Sequence, residues 1–562
     1  MKKMKKPLLM VVSAVFLLVT VLAGCSNSGG NDPKPAATDS ATNTNKGSEA
    51  TDAPADQPWV FGSSPIEFSA YTHYSWQDFP DTMDANPFWK YLKENKQVTI
   101  KPIHAKGNSA QLMQTFMADS SQMPDVIYGD RYNPDIERLI ANDQLVALDP
   151  YLDKYPNLKK YLNPKSMELL RSADGKLYKF PNWYTDKPTS TAGYVVNKKV
   201  YAELGSPALE TFDDLYAYLK LVKEKYPDMI PLELDRGSEI QGQGVVYAGF
   251  GENNLYKSLS SDVQGVIKED KLVSFFTDPS FRESQKYLAK LYREKLIAQD
   301  WWTQTRDVVA EKIVTGKVAV YAGSGVTTFA SRGDSELRKA DPNAGYFMIW
   351  PVRKAGLDKN KIFAGGYDAL GWNVVTITKH AKDPEKIFAA LDWMTGPEGM
   401  TISFFGPEGG NWKGFDENEQ PIFTENYNEE EVTAIQAAND VVHIVGNVSY
   451  IDPAKLKYVN SLPLEKQNWA ARWQRDITWP SSNDTTALTN INIEPDSPYG
   501  DTRQQIVDLT LETLAESTTA KSDADVDRIL DAADKKANSY KYKELLEWRT
   551  ERWHANRTIL GE

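Results

Sequence analysis

The feature that most constrains this 562-residue chain is the placement of its only cysteine. Cys25 stands directly after Leu22-Ala23-Gly24, at the end of an apolar run from Pro7 that follows Lys2, Lys3, Lys5 and Lys6. A cationic start, a short apolar core and small residues before a cut describe an export signal over residues 1–24, not a spanning helix. Everything after Cys25 must then fold without a disulfide or a cysteine-built metal cluster. Residues 26–58 contain no aromatic and no large aliphatic side chain. Such a stretch cannot bury enough apolar surface to offset its ordering entropy, so 25–58 reads as a flexible tether with a reach of roughly 30 Å. The folded body begins near Trp59.

With 41% hydrophobic and 25% charged residues, that body has the composition of a soluble globular protein with more than one core. Acids outnumber bases 77 to 64, a net charge of −13; residues 1–24 hold four lysines and no acid, so their removal leaves −17. That balance argues against nucleic acid, which needs a basic footprint. The Leu-Ala-Gly-Cys step resembles the bacterial lipobox, in which the cysteine is acylated (palmitate) and becomes the first mature residue. The resemblance implies a lipid anchor at Cys25 on the extracytoplasmic face of the cell membrane; two acyl chains anchor stably where one would not.

Beyond Trp59, short apolar runs alternate with amphipathic stretches. Strands are expected at 98–103, 125–128, 192–196, 318–321 and 372–377, and helices at 109–117, 135–140, 211–225, 281–295, 383–394 and 503–517. Thr211-Phe-Asp-Asp-Leu opens the helix that runs to about Lys225. The alternation predicts α/β architecture with mainly parallel sheets, whose ligands bind at the carboxyl ends of the strands.

Catalytic motifs are weak. His73, His104, His380, His443 and His554 fall in no metal-ligand spacing. Gly323-Ser324-Gly325 lacks the G-x-S-x-G spacing, and Gly242-Gln-Gly244 lacks the third glycine of a dinucleotide loop. Asp523-Ala-Asp525-Val-Asp527 starts like a calcium loop but has Arg528 where glycine is needed, and fits better as a helix start capped by Ser522. What stands out is the aromatic content, 15 Trp, 28 Tyr and 20 Phe. Tyr71, Tyr74, Trp76, Trp183, Tyr184, Trp301, Trp302, Tyr367, Trp372 and Trp412 lie beside turn residues, where flat faces with Asp, Asn, Arg and Gln nearby suit sugar rings.

Five blocks in order then carry a family resemblance from about residue 65 to 520. They are Met123-Pro-Asp-Val-Ile-Tyr128 with Leu139–Asp149, Asp174-Gly-Lys-Leu-Tyr-Lys-Phe-Pro181, Tyr194–Lys198 with Leu204-Gly205 and Thr211–Leu215, Thr315–Val320, and Ile377-Thr-Lys379 through Pro397-Glu-Gly399. Behind a lipobox, this pattern resembles the bacterial extracellular solute-binding lipoproteins of ATP-binding-cassette (ABC) importers, carbohydrate type (family 1). Phe404–Trp412 and the length are similar to the large members linked to polysaccharide and oligosaccharide uptake. Some of those carry a calcium loop after the helix at Thr211; Lys223–Glu233 has too few acids on alternate positions, so no metal and no cofactor are expected.

The resemblance implies a two-lobed, type II periplasmic-binding-protein-like α/β fold with a hinge of several crossings and the ligand cleft between the lobes. The expected division is 59–191 with 373–445 and 192–372 with 446–562, crossing near Thr191–Tyr194, Gly371–Val374 and Val441–Gly446. It further implies ligand contacts from Tyr128, Asp130 and Arg131, with Trp183, Tyr184, Trp372, Asn411 and Trp412 as further candidates. The function implied is capture of an oligosaccharide by a monomer and its delivery to the permease subunits of an ABC importer, without catalysis. A cell-surface glycan-active enzyme and a peptide or sensory receptor of the same fold are the alternatives.

Overall fold

Strands in chain order are β1 (Ile66–Thr72), β2 (Val98–Ile103), β3 (Val126–Asp130), β4 (Phe180–Asn182), β5 (Gly193–Asn197), β6 (Ile230–Leu234), β7 (Val266–Lys268), β8 (Lys271–Val273), β9 (Val318–Gly323), β10 (Tyr346–Ile349), β11 (Gly365–Tyr367), β12 (Asn373–Ile377), β13 (Trp412–Phe415), β14 (Pro421–Phe423) and β15 (Ser482–Asp484). They come from a computed structural model that describes residues 57–235, 241–440, 444–491 and 497–562. The signal segment, Cys25 and the tether up to residue 56 lie outside the described residues, as does 441–443 of the third expected crossing.

Two sheets organise the body. The first has the order β2-β1-β3-β12-β4 and the second β10-β5-β9-β6. Neither is mainly parallel, which corrects the expectation from the strand–helix alternation. In the first, β1 runs parallel to β2 and β3, but β12 is antiparallel to both β3 and β4. In the second, only β6 and β9 are parallel. The cause is the chain path: β12 rejoins the first sheet after the second has been built, and it enters between β3 and β4 running against β3.

Both faces of the first sheet are covered, as alternation along β1 and β3 requires. Phe68, Ala70, Val126 and Tyr128 pack with Trp89 and Leu92 of helix Pro87–Lys96 and Phe388 and Leu391 of helix Pro384–Thr395. Their neighbours Tyr71 and Ile127 join Met113, Phe116, Ile136 and Leu139 from helices Ser109–Ala118 and Pro134–Ala141. The second sheet buries Tyr194, Val196, Leu232 and Val320 against helix Phe212–Lys225. There Thr211 makes a capping box: its Oγ1 accepts from Asp214 N–H (3.2 Å) and Asp214 accepts from Thr211 N–H (2.9 Å).

A third core joins Phe275, Phe276 and Phe281 to the C-terminal helices Gly500–Thr518, Asp523–Ser539 and Tyr542–Leu560. Ser522 caps the second of these, accepting from Asp525 N–H. The neighbouring acids are matched: Asp523, Asp527 and Asp531 face Arg293, Lys286 and Arg282 of helix Pro279–Arg293 at 2.9, 2.8 and 2.6 Å. The stretch 223–233 forms the end of helix Phe212–Lys225 and most of β6, with Glu233 buried against Lys312.

Gly371 lets the chain turn into β12. Its φ of +68° is left-handed, and a Cβ there would lie 1.9 Å from the Asn182 carbonyl oxygen. Gly371→Ala must therefore push β12 away from β4. Urea denaturation should show a loss of at least about 2 kcal/mol.

Candidate functional site

The parallel strands β1 and β3 end side by side, with Thr72 paired to Tyr128, and β12 starts at the same edge, with Asn373 paired to Asp130. The turns that leave and enter these strands put Tyr74 and Trp76, Asp130, Arg131 and Tyr132, and Trp372 together at the carboxyl edge of the first sheet. Tyr128 is buried beneath them, its Oη accepting from Asn182 Nδ2 (3.3 Å) and from Asn373 Nδ2. Tyr74 stands on Tyr128 edge to face (centroids 5.6 Å) and supports two indoles, Trp76 at 5.0 Å and Trp372 at 5.8 Å. Trp76 and Trp372 lie within 28° of parallel, 6.2 Å apart, and are 69% and 43% exposed. Two large aromatic faces open to solvent on a fully packed base are unusual outside an interaction site.

Arg131 anchors this edge from inside. Its side chain is 1% exposed, and its guanidinium is committed in every direction. Nε donates to Gly371 O (2.9 Å), Nη1 to Thr489 Oγ1 (3.5 Å), and Nη2 to Tyr132 Oη (2.8 Å) and Asp368 Oδ2 (2.5 Å). Asp368 also accepts from Thr489 Oγ1 (2.7 Å) and Leu370 N–H (2.8 Å). Burial works against the charge, but the Asp368 carboxylate outweighs it and holds Arg131 more firmly protonated than usual. Arg131 thus binds its own fold. Asp130 faces the other way: burial pushes its pKa above the ordinary carboxylate range, the Asp262 charge adds to this, and Tyr132 N–H (2.8 Å) opposes it.

The remaining expected residues separate. Trp183 follows β4 with a left-handed φ of 59°, donates its N–H to Gly446 O (2.9 Å), and lies half-buried edge-on to Phe404. Gly446 is pressed against its ring, where a Cβ would come within 2.6 Å. Tyr184 is fully buried and pairs with Asn447, next to Gly446. Asn411 and Trp412 are enclosed at the start of the β13–β14 hairpin. Asn411 donates to Phe405 O (3.0 Å) and accepts from Asn428 N–H (2.7 Å), while Trp412 Nε1 donates to Gly406 O (2.8 Å). Tyr128, Asp130, Arg131 and Trp372 are therefore brought together; Asn411, Trp412 and Tyr184 serve packing. Sequence reasoning did not single out Asp368 or Thr489, which meet Arg131 across 237 and 358 positions without a local signal; nor did it single out Tyr132, which is next to Arg131 in the chain.

Among the described residues no group of three or more His, Cys, Asp or Glu side chains is arranged to hold a metal ion, and no helix is long and apolar enough to cross a membrane.

A two-lobed α/β fold is the architecture of type II solute-binding proteins, and the chain belongs to the bacterial extracellular solute-binding protein family, whose sequence model matches residues 76–401. It is similar to lipoprotein LipO of Bacillus subtilis, 23% identical over 343 residues, which cover 59% of this chain and 64% of that one. The polygalacturonan/rhamnogalacturonan-binding protein YtcQ of the same organism is 23% identical over 284 residues, 50% of this chain and 54% of that one. The matches thus span less than two thirds of either relative. In three dimensions the chain resembles the ABC-transporter substrate-binding protein FusA of Streptococcus pneumoniae in complex with kestose, with a TM-score of 0.64 at 16% identity, covering 88% of this chain and 100% of that one.

Asp368→Asn would leave a buried guanidinium without its counter-charge. A loss of about 3–5 kcal/mol in urea denaturation is expected. The apolar double variant Arg131→Met with Asp368→Leu should recover most of it.

Proposed function

We propose that this protein is an extracellular receptor, held to the cell membrane by acylation of Cys25 after removal of residues 1–24, that captures an oligosaccharide and hands it to the permease subunits of an ABC importer. The observation that carries the reading is the open Trp76–Trp372 shelf with Asp130 beside it. A sugar ring presents an apolar C–H face that stacks on an indole and a rim of hydroxyls that donate to a carboxylate. The kestose bound to FusA and the polysaccharides in the name of YtcQ support a saccharide cargo, and the name of LipO supports the anchor.

The two sheets would form two lobes, 59–191 with 373–445 and 192–372 with 446–562, with Trp183 at the crossing between them. Binding requires no covalent step. The ligand stabilises whichever lobe arrangement it contacts on both walls, by its differential affinity for that state. The receptor works as a monomer that presents closed, loaded lobes to the permease.

Titration calorimetry with oligosaccharides of three to five residues tests the reading. A ligand should bind with its chain recovered uncut, and Trp76→Ala and Trp372→Ala should each weaken it about tenfold or more while leaving the melting temperature of the free protein nearly unchanged, since both rings are exposed. Peptide binding, or cleavage of the sugar, would replace the proposal. Cys25→Ser should shift the protein from the membrane fraction to the medium, read by immunoblot.

A further inference from the structure

The segment that carries Tyr74 and Trp76 leaves β1 through His73, which is 6% exposed where Trp76, three positions on, is 69% exposed. His73 N–H donates to Tyr128 O (2.7 Å), and β3 presents Gly129, where a Cβ would stand 3.4 Å from that of His73. The imidazole has two polar neighbours on the face covered by helices Ser109–Ala118 and Pro134–Ala141. Nδ1 lies 3.2 Å from Tyr71 Oη and Nε2 lies 3.1 Å from Asp135 Oδ2. Both neighbours are acceptors. Tyr71 has one hydroxyl hydrogen and donates it to Ser109 O (2.7 Å). Burial above all, with the charges of Asp78 and Asp135, pushes the Tyr71 pKa up, so that hydrogen stays in place. The other oxygen of Asp135 accepts from Arg138 Nη1 (2.8 Å) and Gln114 Nε2 (3.5 Å), as an ionised carboxylate does. A neutral imidazole has one N–H and serves one of the two acceptors, leaving lone pair against lone pair at the other. The doubly protonated ring fits both.

We infer that His73 is a positioning residue for the aromatic shelf, and that proton uptake by its ring closes both ties and tightens the 73–79 segment under Trp76 as the pH falls. The device acts on the shelf itself, independently of what the shelf binds. Burial pushes the His73 pKa below the ordinary imidazole range, and the charge and hydrogen bond of Asp135 oppose it without cancelling it. The ring is therefore mainly neutral at pH 7, and the second tie forms on acidification. The far end of the segment is fastened separately. Asp78 lies 3.4 Å from His104 Nδ1 and accepts from Lys106 N–H (3.2 Å), and Thr72 Oγ1 donates to Gln77 O (3.3 Å). The Asp78–His104 contact is an ion pair only when His104 is protonated, so it works in the same direction, but it is partly exposed. With that end held, the play left in the segment is decided at His73. By linkage, any ligand that needs the ordered shelf takes up a proton when it binds.

The test needs no ligand. The purified protein is labelled with 5-fluorotryptophan and ring-labelled histidine, and its fluorine and imidazole resonances are followed from about pH 8 to about pH 5. The Trp76 line is assigned with Trp76→Phe and the His73 ring with His73→Gln. The expected result is a His73 midpoint below the usual imidazole value and a Trp76 line that moves with the same midpoint and narrows on the acid side. In His73→Gln, whose side chain does not titrate, the Trp76 step should shrink about threefold or more. Tyr71→Phe removes one acceptor and lets a neutral Nε2–H ring serve Asp135 throughout; it should shrink the step likewise, and it keeps the test open if His73→Gln does not fold. His104→Gln should leave the larger part of the step. A His73 ring that does not titrate, a Trp76 line that stays still while His73 titrates, or a step that persists in both His73→Gln and Tyr71→Phe overturns the inference. Each of these outcomes leaves the oligosaccharide reading to its own calorimetry.

Discussion

The ion pair between Arg131 and Asp368 is the contact on which the geometry of the site depends. Arg131 sits one residue past β3, and its partners lie on segments 237 and 358 positions away. One buried guanidinium therefore ties the strand end to the turn before β12 and to the 485–489 segment. Its backbone takes part as well: Arg131 N–H donates to Trp372 O (3.1 Å), and its Nε to Gly371 O. The exposed indole of Trp372 is thus carried on a peptide that the buried charge holds in place. Removing two charges from water is costly, and well-packed apolar side chains often do as well for stability. The return here is directional. A planar fork with fixed N–H vectors sets the angle of three segments in a way that apolar contact does not.

The same economy of position appears where the chain changes sheets. The 183–185 segment pairs with 446–448: Trp183 N–H donates to Gly446 O, and Val448 N–H to Tyr184 O. Near the start of β5, Thr478 Oγ1 donates to Ser190 O. Gly371 lets the Asn182 carbonyl, and Gly365 the Ser190 side chain, approach closer than a Cβ would allow. A binding protein of this class changes state by rotating one body against another about a few backbone positions. Crossings built from backbone hydrogen bonds and close glycine contacts can absorb such a rotation without disturbing the cores on either side, which are densely packed and resist small deformation.

How much of this could be read from the chain alone follows the range of the interactions. The helix start at Thr211, the Ser522 cap and the strands around Val98 and Val126 depend on residues within a few positions of one another, and the local pattern exposes them. The placement of Tyr128, Asp130 and Arg131 at a strand end was legible for the same reason. The role of Arg131 was not, since its carboxylate partner is Asp368 and not the adjacent Asp130. Nor was the direction of β12, because alternating strands and helices do not record which sheet a strand rejoins. Asn411 and Trp412 have the turn-rich neighbours expected of an exposed aromatic. A hairpin, β13–β14, folds back over that segment and turns the indole inward, where its N–H finds the Gly406 carbonyl. Trp76 was noticed as an aromatic beside turn residues, but its stacking on Trp372 required the first sheet to bring positions 296 apart to one edge.

The proposed recognition through aromatic faces also fits the work of a receptor that must let go. A buried arginine fork on a ligand carboxylate would deepen the bound state, and breaking it at the permease would leave two desolvated charges exposed to a large penalty. In the proposed mode, stacking on Trp76 and Trp372 and hydroxyl donation to Asp130 would be individually modest and would sum only when both walls engage the ligand. Opening the lobes would then remove one wall and with it a large part of that sum, so the affinity of the open state would fall without any single strong contact having to be broken. By committing Arg131 to Asp368, the fold uses this guanidinium for its own architecture, and on the proposed reading leaves the exposed indoles to meet the ligand.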